Sequence, residues 1–237
     1  TFFCHGAQTL KLIAVETSTD ACSAALFIDG EIREKFAVAP REHTKLILTM
    51  INDLMAEAQL VPSQLDAVAL SRGPGSFTGV RIATGVAHGI ALGCDIPVAL
   101  VSTLASMAQD VFNRDSDFEW AFTALDARMS EIFWGVYRRN PLGLAELHGE
   151  EAVTSAVDVI FPLQAGVGIG SGWQAYREVL SVRLSPWVQA IDEQVWPRAA
   201  CIAQLGAYQY ANGDAVPVEQ AIPVYLRDKV AKKQSER

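Results

Sequence analysis

The sequence predicts an α/β protein of two lobes, each laid out in the order βββαβαβα, with the second lobe reduced. Three observations carry this reading. Each half opens on short apolar runs divided by turn residues. Each then changes to helical periodicity, and the order of elements repeats although the residues themselves do not.

The elements follow in chain order. Leu12-Ile13-Ala14-Val15 reads as a strand that ends in the polar turn Glu16-Thr17-Ser18-Thr19. Cys22 to Ile28 resumes as a strand, Asp29-Gly30 signals a hairpin, and Glu31 to Val38 runs back. From Glu42 the period lengthens: Ile47, Met50, Ile51, Leu54 and Ala58 recur at helical spacing. Leu65 to Leu70 is the next strand, and Arg72-Gly73-Pro74-Gly75-Ser76 is a loop. A second helix runs from Phe77 to about Leu92, Pro97 to Val101 is a strand, and Ser102 caps a third helix through about Phe112.

The second half starts the same way, with strands at Trp120 to Asp126, Glu131 to Arg138 and Leu144 to Gly149. A helix from about Ser155 to Phe161, a strand Val167-Gly168-Ile169 and a helix from Trp173 to Leu180 are expected next. A last helix spans about Arg198 to Ala211. This duplicated plan is that of the actin-like superfamily (ASKHA, ribonuclease H-like), which includes actin, sugar kinases and the Hsp70 ATPase. The expected division is a leader at 1–10, a first lobe at 11–112, a second at 113–226 and a basic tail at 227–237.

Composition narrows the classes of function. Half of the 237 residues are hydrophobic and only 19% are charged, which is ample for a core. A net charge of −8 argues against free-standing nucleic-acid binding, since phosphate contacts need Lys and Arg. The tail is the exception: Arg227, Lys229, Lys232, Lys233 and Arg237 outweigh Asp228 and Glu236, as a solvated tail or an arm that touches RNA. Cys4, Cys22, Cys94 and Cys201 form no CxxC pair and are expected to be free, buried thiols of a cytoplasmic protein. The first ten residues show no signal-peptide pattern. Residues 82–109 carry only Asp95 as a charge, but Gly93, Asp95 and Pro97 divide them into two soluble elements.

Several motifs bear on chemistry. Glu16, Thr17, Ser18 and Thr19 form the candidate for a vestigial phosphate loop, where hydroxyls and turn amides suit phosphate and a carboxylate suits hydrated Mg²⁺. An ordinary polar turn has the same sequence. The matching segment of the second half, Leu125 to Glu131, contains no glycine, so Arg128 and Met129 would crowd a phosphate. Gly168-Ile169-Gly170-Ser171-Gly172 reads as a strand-to-helix turn. No two of His5, His43, His88 and His148 have metal-ligand spacing, and Asp126 and Glu131 read as solvated hairpin carboxylates.

The most specific segment is Arg72-Gly-Pro-Gly-Ser-Phe-Thr-Gly-Val-Arg81. In the helix after it, Gly79, Ala83, Ala87 and Ala91 form one small-residue stripe and Arg81, Gly85, Gly89 and Gly93 a second. Each interior glycine costs about 1 kcal/mol relative to alanine, so such a helix needs close packing in return. It is either wholly buried in its own lobe or meets another subunit on its outer side.

Six segments resemble the TsaB (YeaZ) family: Glu16 to Leu26, Pro40 to Thr44, Arg72 to Arg81, Leu125 to Trp134, Gly170 to Trp173 and Pro223 to Arg227. The resemblance implies a non-catalytic scaffold required with TsaD and TsaE for threonylcarbamoyladenosine (t6A) formation at adenosine 37 of tRNA. It also implies a homodimer when alone, exchanged for a heterodimer with the TsaD-like transferase through first-lobe helices. A TsaE-like ATPase and tRNA join only within that complex, and no membrane is involved. The related transferase binds metal partly through a His-x-x-x-His pair; Thr103 and Met107 stand in those places here, and neither replaces an imidazole. No catalytic residue, metal or cofactor is therefore expected for the chain alone, with ATP or ADP confined to an interface with partners. The expected contact residues are Met50, Leu54, Val80, Ala83, Thr84, Ala87 and His88. The rival readings are an actin-like small-molecule kinase or ATPase using Glu16 and the Arg72–Arg81 loop, and a metallopeptidase-like hydrolase.

Overall fold

A computed structural model describes residues 9–114 and 117–227. The expected Cys4, the segment 1–8 and the basic tail beyond Arg227 lie outside these residues. The first lobe contains β1 (Lys11–Glu16), β2 (Ala21–Ile28), β3 (Glu31–Val38), α1 (His43–Glu57), β4 (Ala67–Ser71), α2 (Phe77–Cys94), β5 (Val98–Val101) and α3 (Thr103–Arg114). Its five strands lie in the order β3-β2-β1-β4-β5. β1 pairs antiparallel with β2 and parallel with β4, which starts the α/β alternation that the sequence predicts.

Side chains alternate across β1 and decide the layers. Ile13 and Val15 pack with Ile47, Leu54, Ala83 and Ala87 of α1 and α2. Leu12 and Ala14 face the opposite way, into a cluster with Leu104 and Met107 of α3 and with Ile202 and Ala203. Those last two sit on α6 (Ala199–Ala211), which comes from the second half of the chain yet lies against the first sheet. Together α3 and α6 form a middle layer that both lobes share, since the same cluster includes Ala121, Leu125, Val167 and Ile169.

The second lobe is a six-stranded sheet: β11-β10-β6-β7-β8, with β9 also paired to β7. Its strands are β6 (Trp120–Arg128), β7 (Glu131–Arg139), β8 (Ala145–Leu147), β9 (Ala152–Thr154), β10 (Gly166–Ile169) and β11 (Val188–Asp192). Its outer face is an aromatic core in which Phe122 stacks on Trp134 and Trp173 is fully buried. Trp173 also satisfies its ring N–H on the Phe122 carbonyl at 2.8 Å.

Two expectations in this half are corrected. The segment expected as a helix from Ser155 to Phe161 is irregular, and Ala156 and Val159 instead plug the aromatic core from a turn. The helix expected from Trp173 to Leu180 is two short ones, α4 (Ser171–Ala175) and α5 (Arg177–Leu184), broken at Tyr176, whose φ is −128°. No helix among the described residues is long and apolar enough to cross a membrane. Cys22 and Cys201 are buried free thiols as expected, whereas Cys94 is only half-buried.

Candidate functional site

The turn after β1 lies at the floor of a cleft of about 1000 Å³ between the lobes, lined among others by Ser18, Ser76, Phe77, Asp126, Arg128 and Tyr225. Glu16, Thr17 and Ser18 are nonetheless fully buried. Their polar groups are taken up internally. Ser18 donates its amide to Glu16 Oε1 and accepts the Ser76 amide at 2.7 Å on its carbonyl. The Thr17 hydroxyl donates to the Gly79 carbonyl at 2.7 Å, and Thr103 Oγ1 donates to Ser18 Oγ at 3.1 Å. Thr19 is half-buried, and its carbonyl accepts His43 Nε2 at 2.8 Å. The other acceptor of that nitrogen is the Ala21 carbonyl, so His43 carries its proton on Nε2.

Glycines seal the turn from above. A Cβ on Gly75 would stand 2.5 Å from the Ser18 carbonyl oxygen, and one on Gly79 would stand 2.0 Å from that of Thr17. The specific Arg72–Arg81 segment thus serves to press the start of α2 onto the turn. In the turn expected as a vestigial phosphate loop, the Ser18 amide and the Thr17, Ser18 and Thr19 hydroxyls already have partners inside the chain. Burial pushes the Glu16 carboxyl up, against the opposing pull of Ser18 and Ser71. Its Oε2 and the neighbouring Ser71 Oγ are both buried without a geometric hydrogen-bond partner. Burial therefore works against the charged carboxylate that Mg²⁺ would need.

The opposite lip of the cleft is the β6–β7 hairpin. Arg128, Met129 and Ser130 all take left-handed φ values, between 56° and 62°. Arg227 fastens this hairpin through the Ala127 and Arg128 carbonyls and the Glu131 carboxylate. Asp126 pairs with Arg128, so Asp126 and Glu131 hold hairpin geometry and do not converge on a substrate position. Thr103 and Met107, at the positions of the relative's histidines, are both fully buried, Met107 in the shared core. Among the described residues no three His, Cys, Asp or Glu side chains gather where they could hold a metal ion.

Sequence reasoning missed a buried network that ties the lobes together. Glu151, just before β9, accepts hydrogen bonds from Ser102 and Tyr137 and pairs with Arg72 at 3.5 Å. Burial, then the Glu151 charge, holds the Tyr137 phenol well above its usual range. Arg72 lay in a recognised motif, but nothing in the sequence pointed to Glu151, nearly eighty residues further on.

Five of the seven expected contact residues are buried. Leu54, Val80, Ala83 and Ala87 are 0–2% exposed, packed within their own lobe, and Thr84 returns its hydroxyl to the Val80 carbonyl. Met50 and His88 are half-buried, and His88 Nε2 bonds the Ala221 carbonyl at 2.6 Å. The correction follows from a helix that is small or apolar all round, so that its pattern leaves the outer side undetermined. The structure makes that side Arg81, Gly85, Gly89, Leu92 and Gly93, flanked by half-buried Ile82, Val86 and Ile90. A Cβ added at Gly85, Gly89 or Gly93 would meet nothing within 4 Å.

Comparison with known proteins agrees with this architecture. The family model of the tRNA N6-adenosine threonylcarbamoyltransferase TsaD matches residues 37–234. The chain is 39% identical over 228 residues to the tRNA threonylcarbamoyladenosine biosynthesis protein TsaB of Escherichia coli, covering 94% of this chain and 96% of that one. It is 36% identical over 234 residues to TsaB of Haemophilus influenzae, with the same coverage. Among solved structures, YeaZ from Pseudomonas aeruginosa superposes with a TM-score of 0.84 at 39% identity, over 92% of this chain and all of that one. A second Pseudomonas aeruginosa structure, described as similar to peptidase YEAZ, gives 0.85 at 41% identity over the same shares.

Proposed function

The chain belongs to the TsaB (YeaZ) family and acts in t6A biosynthesis on tRNA, and from that premise we propose that it does so as a non-catalytic docking subunit. Its partner is a TsaD-like transferase, met through the outer face of α2, and a second copy of this chain uses that face when the transferase is absent. A TsaE-like ATPase and the tRNA engage only the assembled complex, in the cytoplasm. The chain alone carries no nucleotide; ATP or ADP binds only where a partner completes the site.

One observation carries the docking role. Gly85, Gly89 and Gly93 stand on an exposed helical face with open space above each of them. Glycine in a helix interior is unfavourable by about 1 kcal/mol against alanine, and nothing inside the lobe compensates for it here. A partner backbone that approaches closely would, because only a side chain's absence permits that approach. The buried, internally bonded turn at Glu16 to Ser18 supports the absence of catalysis by the chain itself.

The test is a reconstitution of t6A formation on tRNA with transferase, accessory ATPase and adenylate donor, in which this chain is titrated from none to excess. Product should appear only with this chain and saturate at a fixed ratio to the transferase. Equal product without it, or tight ATP binding by the isolated chain, would reverse the reading in favour of an actin-like kinase or ATPase.

A further inference from the structure

The segment that follows α6 lies first on one lobe and then on the other. Val216 pairs with Val98 on the edge strand β5, and Ala221 is fully buried in the first-lobe core. His88 Nε2 donates to the Ala221 carbonyl at 2.6 Å, and the Val224 amide donates to the Arg72 carbonyl at 2.8 Å. Tyr225 Oη accepts Arg81 Nε at 3.1 Å, while the Arg81 guanidinium lies 3.5 Å over the centre of the Phe77 ring. Phe77, Arg81 and His88 are four and then seven positions apart, which is one stripe along a helix. Residues 221–225 therefore run antiparallel to α2, as a strap along one edge of its outer face.

The far end of the strap belongs to the second lobe. Arg227 donates to the Ala127 carbonyl at 3.0 Å and the Arg128 carbonyl at 3.3 Å, and it pairs with the Glu131 carboxylate. A planar guanidinium can serve these three acceptors at once, so the hairpin hangs on one side chain. From Val224 to Arg227 the backbone reaches at most about 11 Å. A wide opening of the cleft mouth must therefore break one anchor. The first-lobe anchor combines main-chain bonds with a buried alanine, whereas the second-lobe anchor is Arg227 alone, so Arg227 is the end that yields.

We propose that this strap is a coupling device: it carries the state of the β6–β7 hairpin, through Arg227 and Tyr225, to Arg81 at the edge of the α2 docking face. With Arg227 seated, Tyr225 holds Arg81 in one orientation before a partner arrives, which lowers the ordering cost of docking. With Arg227 released, the strap frays and Arg81 is no longer held. Coupling is reciprocal, so a partner bound on α2 steadies the hairpin at the opposite lip of the cleft. The proposal rests on the docking reading of α2 and assigns the Pro223–Arg227 segment a part in it.

The test combines hydrogen exchange with binding, on the full chain. In the free protein Arg227→Gln should speed exchange at least ~10-fold in 222–226 and 127–131 together, with the core around Trp173 unchanged. Tyr225→Phe keeps the ring but removes the acceptor of Arg81, so its free hairpin should exchange as in the wild type. Calorimetric titration with the TsaD-like transferase should show each variant binding ~5-fold more weakly, and the double variant no more weakly than that. The bound transferase should slow exchange at 127–131 by the same ~5-fold in the wild type and not in Tyr225→Phe.

The proposal is overturned if strap and hairpin do not loosen together in Arg227→Gln, if both variants bind with wild-type affinity, if their losses add, or if the hairpin response survives in Tyr225→Phe. Gly89→Leu separates this from the docking reading. If it fails to bind while the strap variants bind normally, only the coupling falls; if it binds as the wild type does, the docking face itself is wrong, whatever the exchange of the strap.

Discussion

The Thr17 hydroxyl donates to the Gly79 carbonyl at 2.7 Å, and a Cβ at residue 79 would stand 2.0 Å from the Thr17 carbonyl oxygen. The two backbones can meet only because residue 79 has no side chain, and the obstacle is main chain, which cannot rotate away. Gly79→Ala should therefore lift α2 off the turn despite alanine's better helix propensity. The expected loss is about 1–3 kcal/mol in urea unfolding, as for overpacking of a tightly packed core. A neutral or stabilising result would show that the turn and α2 are not in the contact described.

Glu16 gives a pH dependence with a definite sign. Burial raises its carboxyl in the folded protein above the ordinary value of 4.5. A raised pKa means that the folded state holds the proton more tightly. Stability from this group is then complete below about pH 4.5 and is lost as pH rises through the folded value. Glu16→Gln resembles the neutral acid and should remove that loss. Thermal melts should show the variant more stable than wild type at pH 8, with the gap closing towards pH 4.5. A variant less stable by the same amount at every pH would mean that the ionised form is the one stabilised.

These two residues also show how far the sequence could be read. The strands and first-lobe helices were legible because burial of one face leaves a period of two or 3.6 in the chain, as in β1 and α1. The turn Glu16 to Thr19 was legible as polar and glycine-associated, but whether its hydroxyls faced a ligand or Gly79 depends on a contact sixty residues away. The outer side of α2 was hidden for a different reason. When Ala83, Ala87, Gly85 and Gly89 surround one helix, composition carries no direction, and only the sheet beneath decides which stripe is covered. Residues 155–161 misled through a short helical spacing of apolar residues that in fact plug a core from a turn.

The Tyr137–Glu151 contact should behave as a tie between lobes. Tyr137 comes from the second lobe and bonds Ser102 of the first, while Glu151 meets both Ser102 and Arg72. Tyr137→Phe removes one donor from a buried carboxylate that keeps its other partners, at a cost of about 1–2 kcal/mol. Hydrogen exchange should quicken in 98–104 and 149–154 together while the outer aromatic core around Trp173 stays protected. The phenol also retains its proton in the folded chain, because burial and the Glu151 charge both oppose ionisation. Alkaline spectrophotometric titration should accordingly show one tyrosine that ionises only on unfolding, and that is missing in Tyr137→Phe. Ionisation of every tyrosine near pH 10 in the folded protein would contradict the buried network.

The outer glycines predict a conflict between stability and assembly. Gly85, Gly89 and Gly93 do not have positive φ, and nothing occupies the space a Cβ would take. Alanine at each should stabilise the isolated chain by about 0.5–1 kcal/mol through helix propensity alone. For a chain of this length that corresponds to roughly 2–4 °C in Tm per kcal/mol. If the glycines are kept for close approach of a partner, the same substitutions should weaken docking. The triple alanine variant should thus melt higher than wild type while its t6A support in the reconstituted system falls at least ~10-fold at limiting chain. A variant that is both more stable and fully active would leave the glycines without a physical reason and would remove the observation on which the docking role rests.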